Sequence, residues 1–230
     1  MIIRLLLIVS FVVRITSLTL RHWGLRPNFL KKMIQLQANI LRALDRPAAA
    51  SSDFDLNPGL VGRVVPMREA GVLVPLIERP SGMHLVLTKR AAHLAVHPGQ
   101  IAFPGGKRDV EDVNIAATAL REAHEETGLN PKLVHVLGHL PVHDTVTGFK
   151  VTPTIGWVSQ PWQIVAALGE VSEIFEVPLC HVLQLRNFQV QTRIWNGQNR
   201  AYYSVPYGPY YIWGATARIL RGFAEQMSAL

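Results

Sequence analysis

Cysteine is almost missing from this sequence: Cys180 stands alone among 230 residues. No intrachain disulfide can form, and a cysteine-based zinc site is out of reach. Disulfide-stapled secreted scaffolds are therefore excluded, and the chain is long enough to bury a core that needs no staple. Following an apolar stretch, Cys180 reads as a small buried hydrophobe. Acidic residues are missing too, but only from one end. None precedes Asp45, whereas Arg4, Arg14, Arg21, Arg26, Lys31, Lys32 and Arg42 all do. Residues 45–230 hold sixteen acidic and sixteen basic residues, so the formal charge of +7 belongs to the N-terminal segment. A nucleic-acid-binding domain would carry its excess of positive charge on the folded body. A small-molecule substrate is expected instead, with no nucleic acid.

Long apolar runs are also lacking. Residues 5–13 form a charge-free run of nine between Arg4 and Arg14, against the roughly 20 that cross a bilayer. A secretory signal is disfavoured by Arg14 and by the lack of a small-x-small cleavage site. A membrane-surface helix stays open, and so does a natural start at Met33 that would make the leader an extension. Membrane contact is expected only through residues 1–32, if at all, and the protein is assigned to the cytoplasm. Glycine (17) and proline (15) are ordinary in amount, which removes collagen-like and disordered classes.

The chain divides into a basic apolar leader (1–32), an N-terminal helix and linker (33–65) and one domain (66–230). From Met33, the spacing of Ile34, Ile40, Leu41 and Leu44 predicts a short amphipathic helix. An Ala/Ser linker follows at 48–52, then an approach punctuated by Pro and Gly to which no chemistry is assigned. In the domain, residues 71–78 and 84–88 read as a hairpin closed by a turn at 79–82. A loop rich in Gly, Pro and His spans 90–106. Helical periodicity covers 113–127 and stops at Gly128. Further strands are expected at 133–140, 150–158 and 187–194, the last turning at Asn196-Gly197 and returning through 201–205. A final helix covers 212–227. The order is α+β, with strands around one central helix. Trp157, Trp162 and Trp213 read as core side chains.

The central helix carries the informative chemistry. At about 100° per residue, Glu122, Glu125 and Glu126 fall on one stripe, while Val113, Ala116, Leu120 and Ala123 face the other way to pack on a sheet. Three carboxylates on a stripe repel one another unless a cation sits among them. Arg121 lies at i+4 from Glu125 and can orient it. Oxygen donors of this kind suit Mg²⁺ or Mn²⁺. Just upstream, Gly105 and Gly106 let a backbone approach a ligand without a Cβ.

The string from Gly106 to Leu129 resembles the Nudix box, G-x5-E-x7-R-E-U-x-E-E-x-G-U, where U is a bulky apolar residue. Gly106, Arg121, Glu122, Glu125, Glu126, Gly128 and Leu129 match it. Asp112 stands at the first Glu position, eight residues rather than seven separate it from Arg121, and Ala123 is small for its apolar slot. Residues 87–106, LTKRAAHLAVHPGQIAFPGG, resemble the extended signature of the coenzyme A pyrophosphatase group, whose box likewise has an Asp and the longer spacing. Segments 147–153, 171–178 and 212–218 are also similar to that group, and the resemblance covers roughly 72–220.

The resemblance implies a Nudix α/β/α sandwich, a mixed sheet with the box helix packed on it. It implies an enzyme that cleaves the diphosphate of coenzyme A or acyl-CoA, giving 3′,5′-ADP and 4′-phosphopantetheine or its acyl form. The metal ligands would be Glu122, Glu125 and Glu126, holding Mg²⁺ or Mn²⁺. The catalytic set would be Arg121, Glu122, Glu125 and a base from a later loop, with Glu170, Glu173 and Glu176 as candidates and Glu170 preferred. Lys89, Arg90, His97, Gly105 and Gly106 would bind substrate. ADP-ribose or NADH as substrate, or a binding module without turnover, are the alternatives. A homodimer is left open.

Overall fold

The computed structural model describes residues 27–58, 66–167, 169–195 and 197–230. The apolar run at 5–13 and Asn196 of the expected hairpin turn lie outside them. A first helix, α1 (Pro27–Leu44), starts before Met33, so the expected division at 32/33 falls inside an element. Its apolar face is anchored by Ile40 and Ala43, both fully buried. Among the described residues, no helix is long and apolar enough to cross a membrane.

The sheet is built on β2 (Arg68–Arg79) and β3 (Gly82–Arg90), an antiparallel hairpin that turns at Pro80-Ser81. β8 (Phe149–Val158) runs parallel to β2 on one side, and β9 (Val171–Pro178) runs antiparallel to β3 on the other. β4 (Ile101–Ala102) pairs with β3, β5 (Gly105–Lys107) with β2, and β6 (Val134–His139) with β8. The Ala/Ser linker is not a free tether. Its Ser51–Ser52 is β1, parallel to β7 (His143–Asp144), which itself pairs with β8. The reason lies in side chains: Ser51 Oγ meets His143 Nδ1 at 2.9 Å, and His143 Nε2 meets Asp53 Oδ1 at 3.3 Å. His143 is completely buried. Asp53 is thus structural where no role had been assigned.

β2 shows why the sheet is covered on both faces. Leu73 and Ile77 enter one core with Ala119, Ala123 and Leu129. Val74 and Leu76 enter the other, with Ile40, Ile155, Phe175, Leu220 and Phe223. Successive side chains of a strand point to opposite faces, so a nearly continuous apolar run fills two cores. The first face is covered by α2 (Ile115–Thr127); the second by α1 and the C-terminal α4 (Ala215–Ser228). This is the expected α/β/α sandwich with a mixed sheet. A separate hairpin, β10 (Gln189–Trp195) with β11 (Gln198–Ser204), folds over beside α4.

Three expectations fail locally. Val113 does not pack on the sheet but is 84% exposed, because Asn114 caps α2 by accepting from Ala117 N and the helix begins after it. β9 had no place in the periodicity reading, since Glu173 and Glu176 interrupt its apolar pattern. Cys180 is exposed, not buried. It lies in the short helix α3 (Leu179–Val182), whose Leu179 and Val182 turn to the core and leave the residue between them outside.

The helix α2 reaches β2 closely because Gly71 has no side chain: a Cβ there would stand 2.6 Å from Ile115 O and 3.1 Å from Ala119 N. Both are backbone atoms and cannot rotate away. Gly71→Ala is expected to destabilise the fold by about 1–3 kcal/mol, read by urea unfolding. An unchanged midpoint would show that the helix–sheet contact is looser than this.

Candidate active site

The box residues gather where α2 meets β5 and the loop after it. Arg121 is the hub. Its Nε and one terminal nitrogen bind Asp112 at 3.1 and 3.0 Å, a two-pronged contact. The other terminal nitrogen reaches Glu122 Oε1 at 3.0 Å and Glu125 Oε2 at 3.3 Å. Lys107 O accepts at 3.2 Å, and Asp109 lies at 3.4 Å. All three guanidinium nitrogens are engaged within the protein, so Arg121 acts as a positioning residue. Asp112 is buried, and the guanidinium bound to it holds its carboxyl far below the usual range, outweighing the opposing effect of burial. The substitution of Asp at the first box position therefore carries a specific job: it ties the 107–112 loop to the helix.

Glu122 and Glu126 turn toward the Gly105-Gly106 backbone. A Cβ on Gly106 would sit 2.4 Å from the Glu122 carboxylate, so a side chain at that position would displace it. Gly105 N donates to Glu126 Oε2 at 3.2 Å. Glu126 is 5% exposed, and its pKa is pushed up to about 7, first by burial and then by the charges of Glu122 and Glu170; the Gly105 amide and Arg90 oppose the shift. Glu122 is also raised, mainly by burial.

Among the described residues, no three acidic, histidine or cysteine side chains are gathered closely enough to hold an ion unaided. Glu125, expected as a ligand, leans on Arg121 and is largely exposed. The donor chemistry still fits a hard divalent cation. Burial raises the proton affinity of both inward-facing carboxylates, and a cation held by them would replace protons there.

Of the three candidate bases, Glu170 sits close enough for its charge to raise Glu126. The other two are committed elsewhere. Glu173 accepts from Tyr210 Oη at 2.6 Å, and Glu176 is clasped by Arg79, with Nε to Oε2 at 3.0 Å. Arg90 influences both Glu126 and His97. Lys89 lies at the same strand end, its carbonyl accepting from Ser172 Oγ at 3.1 Å. His97 takes a left-handed backbone, φ 54°, and lines a neighbouring cavity. Sequence reasoning missed that cavity's other side chains, among them Arg193, Arg200 and Trp213. Trp213 is a cavity wall, not core, because Arg193 holds its ring from outside, 4.6 Å from the centroid.

A family model described as the NUDIX domain matches residues 67–195. The chain belongs to the Nudix hydrolase family. It is 42% identical over 174 residues to a Salmonella dublin protein named uncharacterized Nudix hydrolase NudL, covering 75% of this chain and 89% of that one. A Salmonella paratyphi B protein of the same name matches to the same extent. Among solved structures, the Nudix hydrolase RenU of M. smegmatis is 24% identical with a TM-score of 0.44, covering 51% of this chain and 74% of that one. A MutT protein from Methanosarcina mazei Go1 is 18% identical with a TM-score of 0.44, over 72% of this chain and 96% of that one.

Two predictions follow from the charges of the Nudix helix. Because Asp112 is depressed in the folded state, its stabilisation is full above its unfolded pKa and fades as the pH falls below about 4. Asp112→Asn is thus expected to melt below wild type at pH 7, with the gap closing toward pH 2; a constant gap would mean that the pairing is not electrostatic. Glu126 has the opposite sign. Its folded pKa lies above the unfolded one, so the wild type loses stability as pH rises from about 4.5 to 7. Without divalent ions, Glu126→Gln should melt above wild type at pH 8 and level with it at pH 4. Adding Mg²⁺ at pH 8 should raise the wild-type Tm and leave that of the variant unchanged. Equal Mg²⁺ shifts in both would remove Glu126 from the ion site.

Proposed function

We propose that the protein hydrolyses the diphosphate of coenzyme A and acyl-CoA, yielding 3′,5′-ADP and 4′-phosphopantetheine or its acyl form. The observation that carries hydrolysis is the inward-facing pair Glu122 and Glu126 against the bare Gly105-Gly106 backbone. Coenzyme A as substrate is supported by the resemblance of the 87–106 segment to the coenzyme A pyrophosphatase signature, and His97 of that segment lines the neighbouring cavity. A Mg²⁺ or Mn²⁺ ion held by Glu122 and Glu126, with Glu125 available on release from Arg121, would neutralise the diphosphate and acidify a bound water.

The chain's own residues do the rest. Arg121 and Asp112 fix the helix against the loop, so that the carboxylates keep their aim. Gly105 N–H holds one Glu126 oxygen. Arg90 offers positive charge to the diphosphate. Glu170, exposed and near Glu126, accepts the proton of the attacking water. Water adds to one phosphorus, the bond from that phosphorus to the bridging oxygen breaks, and the bridging oxygen departs with the second phosphorus, so that each product ends in a phosphate monoester. A cytoplasmic setting is part of the same reading, on the chain's single cysteine.

Purified protein assayed with CoA, acetyl-CoA, ADP-ribose and NADH under Mg²⁺ and Mn²⁺ tests this directly. CoA should give the highest kcat/KM, with 3′,5′-ADP as a product, and Glu126→Gln should lose at least roughly a hundredfold in rate. Preference for ADP-ribose or NADH would move the substrate to another nucleoside diphosphate derivative. Dephospho-CoA as the sole product would make the enzyme a phosphatase of the 3′ group and overturn the mechanism. Tight binding of all four without turnover would leave a binding module.

A further inference from the structure

Beside the carboxylates, a cavity of about 250 Å³ opens between the β10–β11 hairpin, the first turn of α4 and the 145–147 loop. It does not contain the Glu122–Glu126 pair, but one loop serves both, giving His97 and Phe103 to the cavity and Gly105 to Glu126. Its volume is below the roughly 300–1,000 Å³ of pockets that enclose a whole drug-sized ligand. It suits one end of a long substrate.

The lining gives that end a chemical character. Tyr202 and Trp213 meet edge to face, their centroids 5.3 Å apart, and both border the cavity. Charges largely cancel elsewhere on the wall: Arg200 pairs with Asp53 at 3.5 Å and Arg218 with Asp55 at 2.6 Å. Arg193 is different. It is exposed on β10, lies over the Trp213 ring, and has no carboxylate partner among the described residues. The same cavity is lined by Thr147, whose hydroxyl lies 3.0 Å from that of Thr145, and by the start of α4, where Gly214 provides no side-chain cap; the Thr145 hydroxyl is itself held by Phe149. An uncompensated guanidinium beside hydroxyls and aromatic faces matches a phosphate monoester attached to a planar base.

We propose that the cavity binds a nucleoside that carries a phosphate monoester, with Arg193 reading the phosphate and Tyr202 and Trp213 walling the base. The assignment deepens the coenzyme A reading and in its kinetic form rests on it, but binding can be measured without turnover. In calorimetric titrations of the full chain, 3′,5′-ADP is expected to bind at least roughly tenfold tighter than 5′-AMP. Arg193→Gln should bring the two nucleotides within about twofold of each other. In turnover, the same variant should raise KM for CoA far more than KM for dephospho-CoA. Equal wild-type affinity for the two nucleotides overturns the proposal, as does a preference that survives in Arg193→Gln. A preference abolished by Arg193→Gln in a protein that leaves CoA intact would keep the cavity assignment and remove the coenzyme A reading. CoA cleavage with the preference intact in the variant would do the reverse.

Discussion

Arg121 binds Asp112 through two parallel N–H···O contacts and spends its remaining nitrogen on Glu122 and Glu125. Three features of the site depend on that arrangement. The 107–112 loop is pinned to the helix through Asp112 and Lys107 O. With the loop pinned, β5 stays registered on β2, pairing Gly105 with Val72 and Gly106 with Gly71. The glycine backbone then comes within reach of Glu122 and Glu126. A planar fork that stays charged at any ordinary pH is suited to hold several acids at once, whereas a lysine would meet them one at a time.

The carboxylates themselves work against the fold. Glu126 is nearly as buried as the apolar side chains around it, and its hydrogen-bond donor among the described residues is the Gly105 amide. Burying a charge without full compensation is costly, so the two-sided apolar core must offset it. That core is well placed: Ala119 and Ala123, one helical turn from the acids, are fully buried against Leu73 and Val86. Small residues on that face bring the helix close to the sheet, and Gly71 removes the last obstacle. Alanine at the bulky box position is explained by the same close approach.

The molecule also separates two kinds of chemistry. Acidic oxygens collect at the N-terminal end of β2, while aromatic rings and a guanidinium collect under the β10–β11 hairpin. The loop from Arg90 to Gly106 borders both. Within it, His97 takes a left-handed backbone and lines the cavity. The Asp53–His143 contact braces the far wall, joining β1 to β7 and holding Asp53 against Arg200.

Much of this was legible in residue order alone. The hairpin of β2 and β3, the helix ending at Gly128, the returning β10–β11 pair and the acidic stripe all follow from short-range periodicity, caps and turns, which are properties of neighbouring residues. The box is a pattern spread over some twenty residues, with Asp112 already at its odd spacing, and the α/β/α architecture was implied by the family resemblance that this pattern carries. Tertiary structure alone decided what pairs with what. Glu170, Glu173 and Glu176 are candidates alike in the sequence, yet Tyr210 and Arg79 claim the last two, while the charge of Glu170 acts on Glu126. Glu125 shares a stripe with its neighbours but is drawn off by Arg121. Asp53 meets His143 across ninety residues, and Arg193, His97 and Trp213 meet at one cavity from three separate segments. Periodicity says which face a side chain occupies; only the closed chain says which partner is waiting there, because charge and hydrogen bonding act through space and not along the sequence.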